Sequence, residues 1–168
     1  MVLARPRGPW QVAAVDHADV IATLYRSLDA GDGEAMAALY HPDATFSDPV
    51  FTDLKGKEVG AMWQMLCSRS SDLRVEHSAV KVDGDRGSAH WEAYYTFSAT
   101  GRSVHNIIDA EFRFEGDKII EHRDHFSLWR WSRQALGPIG LALGWSPIVA
   151  GKVRGQASKG LALYMKAT

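Results

Sequence analysis

The sequence is poor in several things, and each scarcity narrows the possibilities. Cysteine occurs once, at Cys67. No disulfide can form within the chain, and paired-cysteine zinc sites are excluded. Cys67 itself has no evident base partner and reads as a structural thiol. No apolar run reaches the roughly 18–20 residues that a bilayer span requires. The Met1–Trp10 start has arginines but no apolar stretch of the kind found in secretory leaders. No GxGxxG or GxxxxGK[ST] loop occurs, so nothing supports a nucleotide cofactor. Seven histidines are present, but apart from His122 and Asp124 at strand spacing none makes a metal pattern, and no metal is expected. The net charge of −1 is too small for a nucleic-acid field. What remains is a globular composition, 46% apolar and 23% charged over 168 residues. It predicts a cytoplasmic protein with one domain and a tail, without cofactor or nucleic-acid partner.

Acidic residues are also missing from one region. None follows Asp124, while Arg130, Arg133, Lys152, Arg154, Lys159 and Lys166 leave residues 125–168 at +6 and the first 124 at −7. Gly137–Gly151 is uncharged and mostly apolar, but too short and too broken by Gly and Pro to span a membrane. Ser146-Pro147 reads as an N-cap and first-turn pair. It opens a helix with Val149, Val153, Ala157 and Leu161 on one stripe that must bury against something. Residues 136–168 are thus a basic, apolar helical extension packed on the domain or a second subunit. Contact with an anionic membrane surface is the alternative.

Residues 1–15 read as an N-terminal arm, and residues 16–135 as the domain. Asp16 caps a helix to Ala30, with Gly31 as its stop. Gly33–Tyr40 predicts a short helix with Met36, Leu39 and Tyr40 inward, ended by Pro42. Ala44–Asp48 predicts a strand interrupted by Pro49. Lys57–Arg69 predicts a third helix, with Val59, Met62, Trp63 and Leu66 on its stripe. The period then changes to two. Strands are predicted over Leu73–Val82, Ser88–Ala99, Ser103–Phe114 and Lys118–Trp129, with turns at Asp83-Gly84-Asp85, Thr100-Gly101 and Glu115-Gly116-Asp117. Helices first and an antiparallel meander after them make the class α+β.

Three helices before a curved meander resemble the nuclear transport factor 2-like fold, a conical, cavity-forming sheet. Asp43-Ala44-Thr45-Phe46-Ser47-Asp48-Pro49-Val50 resembles the D-A-T-x-x-D-P-V segment of bacterial ketosteroid isomerases. Gly116–Phe126 (GDKIIEHRDHF) resembles the G-x-I-x-x-x-R-D-Y-F run of limonene-epoxide hydrolases and SnoaL-like polyketide cyclases. The resemblance covers roughly residues 16–135 and implies a homodimer. It puts the isomerase base at Asp48 and the hydrolase base at Asp124. The isomerase oxyanion-hole positions fall on Leu24 and Ala110, with Tyr25 and Asp109 one residue away. The hydrolase Arg and second Asp fall on Ala93 and Tyr95, and its Tyr and Asn on Phe46 and Asp48. Each family's base is therefore present, and neither family's full set.

Alternation groups His122 with Asp124 and Phe126, Trp91 with Ala93 and Tyr95, and Asn106 with Ile108, Ala110 and Phe112, and the resemblance implies that these three faces point into the pocket. Asp109, His90, His105 and His125 fall on the opposite faces. The expected pocket is apolar and aromatic, with Trp63, Phe46, Trp91, Phe112 and Phe126 as walls and Asp48, Asp124, Tyr95, Asn106 and His122 as polar groups. Two carboxylates in one dry cavity shift each other's pKa. Asp124 is then the base, Asp48 the acid or a second base, and His122 and Tyr95 position a substrate oxygen. Blander readings stand beside these: Asp48 as a turn carboxylate, Asp124 as a surface partner of Arg123, His122 as a structural histidine. The function expected is a cofactor-independent isomerase, cyclase or epoxide hydrolase for a small hydrophobic substrate. The alternatives are a non-catalytic binder, or an interaction module whose pocket is filled by its own tail.

Overall fold

The computed structural model describes residues 14–168. Most of the expected Met1–Val15 arm lies outside the described residues. Asp16 caps α1 (His17–Asp29), its carboxylate accepting from the Ala18 N–H at 2.9 Å. Gly31 takes the left-handed conformation that stops the helix, at φ +70°. Then follow α2 (Gly33–Ala37), β1 (Tyr40–Ser47), β2 (Leu54–Lys55) and α3 (Lys57–Arg69). The expected Gly33–Tyr40 helix is thus shorter. Tyr40 begins a strand, held by pairing with Ile119, and Pro42 sits where the pairing register shifts, a place that needs no N–H.

Strands β3 (Arg74–Asp83), β4 (Arg86–Phe97), β5 (Arg102–Glu115) and β6 (Lys118–His125) form the meander. The six strands run in the order β2–β1–β6–β5–β4–β3, antiparallel except for β1 beside β6, and the sheet is curled but unclosed. A register shift between Ser78 and Lys81, with Ala79 at φ +53°, adds local bend and twist. β6 stops at His125 rather than Trp129. Ser127 caps a new helix, α4 (Leu128–Ala135), its Oγ accepting from Arg130 N.

The concave face of the sheet is closed by α1 and α3. Ile21, Leu24, Tyr25 and Leu28 from α1 and Val59, Met62, Trp63 and Met65 from α3 meet Phe46, Trp91, Ile108 and Phe112 from the sheet. Each such buried side chain contributes roughly 1.5–3 kcal/mol of transfer free energy. Two further helices follow, α5 (Pro138–Leu143) and α6 (Pro147–Ala167), the latter capped by Ser146. The expected stripe of α6 is its covered face: Val149, Val153 and Ala157 are half-buried and Leu161 is buried, against α3 and the rim of the sheet. The tail does not fill the interior. Ile139, Leu141, Leu143, Trp145 and Ile148 are exposed, which overturns the tail-filled alternative: α6 already covers its stripe outside the cone. Among the described residues, no helix is long and apolar enough to cross a membrane.

Candidate active site

β6 turns every second side chain inward, so His122 and Asp124 share the concave face. Both are buried, His122 completely and Asp124 to 4% exposure. They are joined in one chain of hydrogen bonds. The Trp63 indole can only donate, and it donates to the Tyr40 hydroxyl at 2.9 Å. The Tyr40 proton is then directed to His122 Nδ1, 2.8 Å away. His122 therefore carries its proton on Nε2 and donates it to Asp124 Oδ1 at 2.9 Å. Trp91 Nε1 donates to the same oxygen at 3.2 Å. Asp124 Oδ2 has no hydrogen-bond partner among the described residues and is the free end of the chain.

Burial, followed by the charge of Asp124, pushes the Tyr40 hydroxyl well above the usual tyrosine range; the Trp63 N–H opposes this. Burial raises Tyr25 likewise, with Asp124 and then Tyr40 adding to it. Both phenols are therefore neutral donors at physiological pH. Tyr25 is 1% exposed and its hydroxyl has no partner among the described residues. Its ring sits among His77, Trp91 and Phe112, with centroids 5.3, 5.4 and 6.4 Å away. A buried donor left unpaired costs about 1–3 kcal/mol, so its presence calls for a functional account.

Asp48 is a turn carboxylate held largely out of water. Its Oδ1 accepts from the N–H groups of Val50 and Phe51, both at 2.6 Å, and so organises the turn after β1. Burial outweighs those bonds and, with the charge of Asp124, raises its pKa to about 6; His122 opposes the shift. Asp124, by contrast, is no surface partner of Arg123, whose guanidinium pairs with Glu121 at 2.6 Å.

The other named residues divide by position. Phe46, Trp63 and Phe112 pack their rings around the His122 imidazole, at 5.0, 6.1 and 4.4 Å. Trp91 touches Asp124 itself. Tyr95 lies toward the open end, its hydroxyl accepting from Trp131 Nε1 at 2.7 Å; burial raises its pKa, and Asp48 contributes. Phe126 is half-buried between the two apolar clusters. Asn106 is buried on the inward face opposite Ala93. Ala110, opposite Asp124, is four residues along β5, roughly 13 Å at the usual rise, so Asn106 serves the rim rather than the carboxylate.

Two inward residues were not in the sequence-derived site. Tyr25 lies one residue from Leu24, the position that the isomerase resemblance assigns. On a strand, one residue would reverse the face. On a helix one residue turns only about 100°, and Leu24 and Tyr25 are both buried. Tyr40 was placed inward but on a helix, with no partner. The signal that could have found it is the run Tyr40–Phe46 continuing back from the D-P-V segment. Among the described residues, no group of three or more His, Cys, Asp or Glu is placed to hold a metal ion.

Two cavities lie elsewhere. One, of about 610 Å³, is lined by Lys81, Arg86, Glu111, Arg113 and Arg123; the other, of about 420 Å³, lies by Tyr94, Tyr95, His105 and Gln134. Neither is lined by Asp48, His122 or Asp124.

Solved structures share this architecture. A hypothetical protein with a ketosteroid isomerase-like fold from Catenulispora acidiphila, in complex with trimethylamine, aligns with a TM-score of 0.64 and 16% identity. It covers 77% of this chain and 98% of its own. IdmH from Streptomyces antibioticus, provisionally assigned as a polyketide cyclase, aligns at 0.58 and 22%, covering 75% and 98%. A limonene-epoxide-hydrolase-like epoxide hydrolase from M. tuberculosis aligns at 0.58 and 14%, covering 75% and 94%. These likenesses show the fold. No curated protein sequence matches the chain. The SnoaL-like domain family does match, over residues 21–122, from the middle of α1 to the histidine of the buried chain, and the protein belongs to that family.

Proposed function

We propose that the protein is a cofactor-independent acid/base enzyme acting on a small hydrophobic carbonyl compound. Asp124 is its base and Tyr25 its hydrogen-bond donor. The observation that carries the reading is the Trp63–Tyr40–His122–Asp124 chain, which ends in one engaged carboxylate oxygen and one without a partner among the described residues, with a phenol likewise unpartnered in the same interior. Asp124 Oδ2 takes the proton from a carbon next to a carbonyl, and the Tyr25 O–H donates to the oxygen on which negative charge develops. Returning the proton to another carbon gives isomerisation. Attack of the enolate on a second carbonyl of the same molecule gives cyclisation. The carbonyl reading is preferred to epoxide opening because the positions matching the hydrolase Arg and second Asp are Ala93 and Tyr95.

The test is α-proton exchange of apolar ketones in D₂O, followed by NMR, with an epoxide series in parallel. Exchange by the protein, abolished in Asp124→Asn and reduced in Tyr25→Phe, is the expected result. Exchange that survives Asp124→Asn refutes the assignment. A second reading, a non-catalytic binder of an apolar ligand, is favoured by the rings packed around His122. It predicts ligand retained equally by the wild type and Asp124→Asn, with no exchange.

A further inference from the structure

The C-terminal segment is built inside out. α5 rests on α4 through its glycines: a Cβ at Gly140 would collide with the Ser132 carbonyl, and one at Gly144 would meet the Ser132 side chain at 2.8 Å. The small residues therefore face the protein and the large ones face away. Ile139, Leu141 and Leu143 are 65%, 57% and 50% exposed, followed by Trp145 at 71% and Ile148 at 73%. The patch is ordered by its indoles. Trp129 donates to the Leu141 carbonyl at 3.4 Å and lies under the Arg133 guanidinium, and Trp145 donates to the Ala142 carbonyl at 2.9 Å.

α6 continues the pattern. Val149, Val153, Ala157, Leu161 and Tyr164 form its covered face. At helical spacing, the opposite side carries Ile148, Lys152, Lys159 and Lys166, with Leu163 at its edge, all exposed. From residue 125 to 168 there are six basic side chains and no acidic one.

We infer that this surface docks on a lipid bilayer bearing anionic headgroups. Exposed Trp, Leu and Ile enter the headgroup boundary, and the lysines on the same side meet the negative surface. Charge decides between this occupant and a second copy of the chain. A two-fold interface places the same patch on both sides, and here that would set Lys152, Lys159 and Lys166 against the same three lysines with no acidic residue of the segment to compensate them. Contact is peripheral, since no helix among the described residues can cross a membrane. The docked helix also borders the acidic site: Arg154 Nε donates to the carbonyl of Pro49, next to Asp48, at 2.9 Å.

The test is co-sedimentation of the full chain with vesicles of phosphatidylcholine alone and of phosphatidylcholine mixed equally with phosphatidylglycerol. Binding to the mixed vesicles only, weakening as salt rises, is the expected result. Trp145→Ser with Ile148→Ser weakens it by about tenfold or more, and Lys159→Gln by about fivefold. These side chains are exposed, so circular dichroism of the variants is unchanged. Absence of binding, or equal binding to both vesicles, overturns the proposal. So does a lipid-free dimer that Trp145→Ser dissociates, since the patch would then be covered by a second copy.

Discussion

β6 carries the same pairing chemistry on both of its faces. Inside, His122 donates to Asp124 with both side chains out of water. Outside, His125 meets Glu111 at 3.1 Å, with both more than half exposed. The outer belt continues on β4 and β5. His90 lies 2.8 Å from Asp109, and His105 lies 2.5 Å from Glu92. The Asp109 bond raises the His90 pKa, and the His105 bond lowers that of Glu92. The difference between the faces is solvent. Exposed pairs are worth about 0–1 kcal/mol, because water and salt serve each partner almost as well. A buried pair is worth little net when intact, but breaking it strands a charge at about 3–5 kcal/mol. The inner pair is therefore held in one geometry, whereas the outer pairs are replaceable.

The comparison can be broken most directly at Asp124. Asp124→Asn is expected to lower turnover by about 10²–10⁴-fold, while Asp109→Asn and Glu111→Gln leave it unchanged in the same assay. Equal losses on the two faces would remove the distinction. Next comes stability. His122→Ala removes one hydrogen-bond partner from each of Asp124 and Tyr40 and should cost about 3 kcal/mol or more in urea unfolding, whereas His125→Ala should leave the midpoint where it is.

Asp48 gives a smaller effect with a definite sign. Its pKa is about 6 in the fold, against an ordinary 3.8. Between those values the folded state holds more protons than the unfolded state, so stability falls as pH rises through the interval. Near neutral pH the cost reaches about 3 kcal/mol at most. Asp48→Asn keeps an oxygen for the Val50 and Phe51 N–H groups and removes that cost. Its melting temperature should exceed the wild type's at pH 7, with the gap closing by pH 4. A gap independent of pH would mean that Asp48 is not held against its charge. The smallest effect is outside. The His90 pair is strongest while His90 is protonated and fades as pH rises through its elevated pKa. In Asp109→Asn the His90 signals in an NMR titration should shift at lower pH than in the wild type, with little change in melting temperature.

Much of the architecture is local information. Asp16 and Gly31 punctuate α1, the stripe of Val59, Met62, Trp63 and Leu66 sets α3, and period-two alternation assigns the strands. The same alternation placed Asp109 outward and Asp124 inward. Less legible were elements decided by a distant partner. Tyr40 becomes strand because Ile119 pairs with it, and β2 exists only against β1. The change from β6 to α4 after Phe126 depends on Ser127 capping a turn that packs Trp131 against Tyr95.

By itself the sequence determined the class, the family resemblance, the faces of the strands and the two carboxylates, because caps, periods and motifs act over a few residues. The tertiary structure decided which side chains complete the site. His122 meets Tyr40 across 82 positions of chain and Tyr40 meets Trp63 across 23, and only packing brings such groups within hydrogen-bond reach. It also decided that the apolar tail faces outward, since whether a hydrophobic stripe is buried depends on what surface is left to cover it.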